Sequence, residues 1–201
     1  MTDPRAREDD LTAKARIRNA ALDLFADQGE DRVSMRVVAS AAGVTVGLVQ
    51  HHFKTKSGLR NAVEQLVVDY YAQAIAQVSD EGNASEVAAA RDSAVQMMLV
   101  TNPTVVNYLR RALLDPNGGG GRLLDRLTEL SRREVSRLRD AGLASTSRPE
   151  SAQVIELVVR QLGQLFLQPM VDILWEQLPN SDGRAEEKPH LVVTTRSARP
   201  A

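Results

Sequence analysis

The sequence contains no cysteine in 201 residues, which excludes disulfides and thiolate metal sites and fits a reducing compartment. Aromatic residues make up only 3%, which argues against a large pocket for flat aromatic ligands. There are three histidines, one of them His190 near the C-terminal end, so acid–base capacity is small. No Ser-His-Asp arrangement, phosphate-binding loop, dinucleotide fingerprint or metal-ligand cluster occurs. The expectation is therefore no enzyme, no catalytic residue, no cofactor and no metal site. Long apolar runs are missing too. The longest, 154–175, is interrupted by Glu156, Arg160, Gln161, Gln164 and Asp172, and is a poor membrane span. Residues 1–10 are charged and lack an apolar stretch, so they read as a disordered arm with no secretory signal, and a cytoplasmic location is expected.

The most informative absence is local. The net charge is −1, yet no Asp or Glu occurs between Arg32 and Val63. That window carries Arg32, Arg36, Lys54, Lys56 and Arg60, with His51 and His52, while acids flank it on both sides (Asp27, Glu30 and Asp31; Glu64 and Asp69). A basic, acid-free window in a near-neutral chain points to a polyanion contact.

What is present is helical. Ala, Leu, Val, Arg and Glu dominate. Between 11 and 28, Ala13, Ile17, Ala20, Ala21, Leu24 and Phe25 recur at helical spacing, and Gly29 is a C-terminal stop. Ser34 is the N-cap of a second helix to about Ala42, with Val33 and Val38 as its hydrophobic staple. Gly43 supplies the left-handed residue of a tight turn. Thr45 caps a third helix, stapled by Val44 and Val49. Two such caps eleven residues apart, with a glycine between them, form a helix-turn-helix signature. Thr55 caps a fourth helix to about Val78, with an apolar face of Leu59, Val63, Leu66, Val67, Tyr70 and Ile75. Further helices are expected near 85–101, 103–114, 122–141 and 149–178. They are punctuated by Pro103, Pro116 with the glycines at 118–121, and the 142–149 stretch. Pro169 should kink or divide the last of them, and 180–201 reads as a polar, disordered tail.

The stretch from Ser34 to Lys56, together with the Ala-Leu-Asp-Leu-Phe-Ala run ending at Gly29, resembles the N-terminal signature of the TetR family of regulators. In that family a cap residue, an Ala-rich helix and a Gly-Val-Ser/Thr turn lead to a recognition helix ending His-Phe-Lys-x-Lys. The resemblance covers about residues 11–70. It implies an all-α fold, with a helix-turn-helix DNA-binding domain over 1–55 and a helical ligand-binding and dimerisation domain over 56–179. The implied function is a transcriptional regulator, a repressor, that binds a palindromic operator in double-stranded DNA as a homodimer. A small-molecule effector releases it, and no membrane is involved. Two positions depart from the family: Gln50 stands where Tyr is usual and Leu48 where Thr is frequent, which bears on the operator sequence read.

On this reading the DNA contacts come from Ser34, Arg36, Thr45, Val46, Gly47, Leu48, Gln50, His51, Lys54 and Lys56. Gln50 can pair with an adenine edge, and Val46 or Leu48 can touch a thymine methyl. Gly47 lets backbone approach phosphate. Lys56, at the start of a helix, is opposed by the dipole unless an anion joins it. Candidate ligand-lining residues are Met97, Met98, Tyr108, Phe166 and Trp175, each of which is also ordinary core material. Arg110 and Arg111 read first as a solvated helix face. The last helix is apolar on more than one face, and Gly163 permits close helix approach, as a four-helix dimer interface requires. The competing reading is a helical protein-binding scaffold whose basic patch meets an acidic protein.

Overall fold

The computed structural model describes residues 12–115, 120–178, 187–189 and 191–195. The expected arm over 1–10 and the break at 116–119 lie outside them. The described residues form eight α-helices and no strand: α1 (Ala13–Gln28), α2 (Met35–Ala41), α3 (Val46–Phe53), α4 (Lys56–Ala76), α5 (Ala84–Thr101), α6 (Pro103–Leu114), α7 (Gly120–Asp140) and α8 (Glu150–Gln177). No described helix is long and apolar enough to cross a membrane.

The chain separates into two compact units, Met1–Leu127 and Thr128–Ala201. The division of roles expected at 55/56 is a different partition, because α4 packs directly on α1, α3 and α5 within the first unit.

In the first unit α1 is the hub, packed against α2, α3, α4 and α6. Its inward side chains Ile17, Ala21, Leu22 and Phe25 are fully buried. Thr12 caps it, accepting from the Ala15 amide at 3.3 Å, and Gly29 at φ +84° ends it. Helix α4 is buried on more sides than its sequence stripe suggests. Beyond the expected Leu59, Val63, Leu66, Val67 and Tyr70, it also buries Glu64, Val68, Tyr71 and Ala74, because α1 and α5 cover different faces. Helix α5 starts with a full capping box, in which Asn83 accepts from the Glu86 amide and Glu86 accepts from the Asn83 amide.

In the second unit the α7–α8 turn is tied by Arg139, which donates to the carbonyls of Ser145 and Arg148, both at 2.9 Å. Helix α8 runs unbroken from Glu150 to Gln177 through Pro169, so the expected division does not occur. Proline removes one donor, and the long helical stretches on either side keep their own bonds. Of the tail expected over 180–201, only residues 187–189 and 191–195 are described. Residues 187–189 and 191–195 lie extended along α8: Lys188 pairs with Asp172 at 3.0 Å, and Gln168 bonds both the Pro189 carbonyl and the Leu191 amide. Gly163 leaves room for this segment, since a Cβ there would stand 2.7 Å from Val193 Cγ2.

Candidate nucleic-acid interface

Local sequence signals build the two-helix element. Ser34 accepts from the Val37 amide at 3.3 Å and Thr45 from the Leu48 amide at 3.2 Å, so both N-caps are made. The staple residues Val33, Val38 and Val49 are buried to 1% exposure or less. Between the helices, Gly43 adopts φ +64°, the Val44 amide bonds to Ala39 and the Gly43 amide to Ser40. This is the paired Schellman closure, and its left-handed position favours glycine.

The caps fix which way α3 faces. Val49 and Phe53 point into the core, while Gly47, Gln50 and His51 are exposed and Val46 and Leu48 are partly exposed. Ser34, Arg36 and Thr45 are exposed on the neighbouring turn, and Lys54 is exposed at the end of α3. All ten expected contact residues thus lie on or beside one two-helix element with its core side filled. An alanine Cβ at Gly47 would meet only Thr45 Oγ1, at 3.9 Å. Packing within the subunit therefore does not require glycine there. Lys56 is half-buried, and its ammonium reaches the Asp31 carbonyl at 3.5 Å, which partly answers the repulsion at the start of α4.

The α3–α4 junction is tight. Lys54 takes φ +62°, ψ −58°, and the Thr55 amide bonds back to the Phe53 carbonyl at 2.7 Å, a strained γ-turn that aims Lys54 outward. Thr55 then caps α4 through the Gly58 amide at 3.0 Å.

Arg60 does not belong to the basic edge. It bonds Glu30 at 3.1 Å and faces Glu64, so it is neutralised inside the first unit. The other cations of the acid-free window are Arg32, Arg36, Lys54 and Lys56; all but the half-buried Lys56 are exposed.

Behind this edge, where α1 ends against α4 and α6, lies a cleft of about 450 Å³. Of the five expected ligand-lining residues only Tyr108 borders it. Met98 is buried core and Met97 is 62% exposed on α5, while Phe166 and Trp175 are partly exposed on α8 in the other unit. Glu64, at 2% exposure, lines the cleft and was not singled out from sequence. Burial pushes its carboxyl above the usual range, opposed by Arg60 and Arg126. Arg111 is exposed, as a helix-face residue is expected to be, and it also has a structural partner. Its guanidinium donates to the carbonyls of Ala26 and Asp27 at 2.8 and 2.6 Å, satisfying orphan groups at the negative end of α1.

A capped helix pair presenting polar and basic groups outward, carried on a helical body, defines the helix-turn-helix class. Residues 17–63 match the family described as bacterial regulatory proteins, tetR family. A 63-residue segment is 49% identical to the HTH-type transcriptional regulatory protein RaaS of Mycobacterium tuberculosis; it covers 31% of this chain and 29% of that relative's length. Across most of the chain the fold is similar to a tetR family transcription regulator of Shewanella sp. PV-4. That match has a TM-score of 0.65 at 23% identity, over 83% of this chain and 90% of that one. It is also similar to a structure from Clostridium perfringens assigned to regulation of fatty acid metabolism, with a TM-score of 0.63 at 17% identity, over 82% and 89%. Residues 17–63 are thus similar to the TetR family of regulators, and the fold across most of the chain is similar to that of the two solved structures.

Proposed function

We propose that the chain is a repressor that binds a palindromic operator as a homodimer, inserts α3 into the major groove, and leaves DNA when a small molecule binds. The observation that carries this is the sidedness of α3. Gly47, Gln50 and His51 face outward between Arg36 and the Lys54–Lys56 pair, while Val49 and Phe53 anchor the helix from behind. Arg36, Lys54, Lys56 and the cap hydroxyls of Ser34 and Thr45 meet phosphates. Val46, Leu48 and Gln50 meet base edges. A single head of this size holds one half-site weakly, so pairing of two chains is part of the reading. The exposed apolar stripe of α8 (Ile155, Val159, Leu167, Met170 and Leu174) supports that pairing. A cytoplasmic site of action follows from the role.

Mobility-shift titration against salt tests the charge argument. Each phosphate contact contributes about −0.9 to the slope of log affinity against log salt. The Arg36→Ala/Lys56→Ala double variant is expected to flatten that slope by roughly 1.8. An unchanged slope, or an acidic protein binding better than duplex DNA, removes DNA as the partner.

Gly47→Ala separates folding from recognition. The open space around Gly47 predicts a fold as stable as the parent or up to about 0.5 kcal/mol more so. The added methyl meets the DNA backbone, and operator affinity is expected to fall by about tenfold or more, which a denaturation curve and a binding isotherm on the same sample would resolve. Unchanged affinity would place the backbone of α3 away from the sugar–phosphate chain.

A further inference from the structure

The cleft between the end of α1, the first half of α4 and α6 carries an unfilled binding chemistry. Glu64 is one of its lining residues, and the Glu64 Oε2 is buried and accepts no hydrogen bond. The nearest cations stand beyond hydrogen-bond reach, Arg126 Nε at 3.6 Å and Arg60 Nε at 3.8 Å. A buried acceptor with no donor is costly, by about the desolvation of the group. Phe25, Tyr108 and Leu114 supply apolar wall. We infer that this cleft is a binding site for an uncharged small molecule, with an apolar body against Phe25 and Tyr108 and a hydroxyl or amide that donates to the Glu64 carboxylate.

Charge decides the class. Three arginines line the cleft (Arg60, Arg110 and Arg111), and so do three acids (Glu30, Glu64 and Asp115). A cation gains Glu64 but meets the arginines, and an anion meets the acids. A neutral donor satisfies the carboxylate and leaves the balance intact. The volume of about 450 Å³ suits a compact ligand.

The position gives such a ligand leverage. The helix-turn-helix hangs on α1, and Arg111 ties the end of α1 to α6 while Arg60 ties Glu30 to α4. An occupant sits among these ties, so it changes how the reading head is held on α4 and α6. This regulatory consequence rests on the DNA reading above, whereas binding itself does not.

The test uses the full chain without DNA, so the two readings fail separately. Three probes of one shape and different charge are titrated into the isotope-labelled protein: benzyl alcohol, benzylamine and benzoate. Benzyl alcohol is expected to shift the amides of Gly29, Glu64 and Tyr108, with a dissociation constant on the order of 1 mM. The two charged probes should bind at least about threefold more weakly. Glu64→Ala should weaken the alcohol about tenfold. Ala112→Phe lines the same cleft without entering the charged network; it should abolish binding of all three probes while the thermal midpoint is kept. Tighter binding of either charged probe overturns the neutral-donor assignment. Shifts confined to other regions, no shifts up to about 10 mM, or full binding to Ala112→Phe overturn the site itself.

Discussion

Gly58→Ala should be among the most destabilising single-methyl additions in the first unit. A Cβ at Gly58 would stand 2.1 Å from the Phe53 carbonyl oxygen and 3.3 Å from its carbon. The obstacle is backbone, so no side-chain rotation relieves it. The cause lies in the connection. Only Lys54 and Thr55 separate α3 from α4, and the γ-turn at Lys54 folds the Phe53 carbonyl back over the first turn of α4. Relief requires opening that turn, losing the Thr55 cap on the Gly58 amide, or shifting α3 off its anchors Val49 and Phe53. Each route gives up about 1–2 kcal/mol, and overpacking against fixed backbone gives a total near 2–4 kcal/mol. For a chain of this size that corresponds to a fall of roughly 5–15 °C in thermal midpoint. Operator binding should fail with it, because the displaced element carries Gln50 and Lys54. An unaltered midpoint would mean that the Phe53 carbonyl is not held over α4. The contrast with Gly47, where the same methyl finds open space, makes the pair informative: one glycine serves the fold and the other faces outward.

The parts legible in the sequence were those set by short-range chemistry. Ser34, Gly43 and Thr45 each act within a few residues of themselves, so cap, turn and cap could be read in order and the outward face of α3 followed. What the sequence hid depends on contacts between distant segments. Arg111 caps a helix about 85 residues earlier, and nothing near it in the chain signals that partner. Arg60 looked like part of a basic window until Glu30 came across to meet it. Glu64 marked only the end of that window, and its burial arises because α1, α4 and α6 converge. The ligand-lining candidates were chosen by side-chain type, which does not distinguish core from cavity. Met98 became the first, and only Tyr108 the second. Gly163 lies against Val193, a contact across thirty residues that nothing near either of them in the chain signals.

The second large effect concerns α8. Val154 and Leu165 are its buried residues, on the side that serves its own unit. The neighbouring side leaves Ile155, Met170, Ile173 and Leu174 more than half exposed. From 155 to 174 these residues span about 28 Å at the helical rise of 1.5 Å per residue, with their densest cluster at Met170, Ile173 and Leu174. If this side is the seam between two copies, a Met170→Glu/Leu174→Glu variant should leave helicity and thermal unfolding of the subunit nearly unchanged, because both side chains already face water. In the dimer the same charges are buried without partners on both sides of the seam, at a cost of several kcal/mol. Sedimentation should therefore report a monomer where the parent is a dimer. Operator affinity should drop by at least about a hundredfold, since the second half-site no longer adds to the first. A smaller fall of only a few-fold, with the variant still sedimenting as a dimer, would move the seam away from α8, and the spacing of the two recognition helices would then have to be set by another surface of the chain.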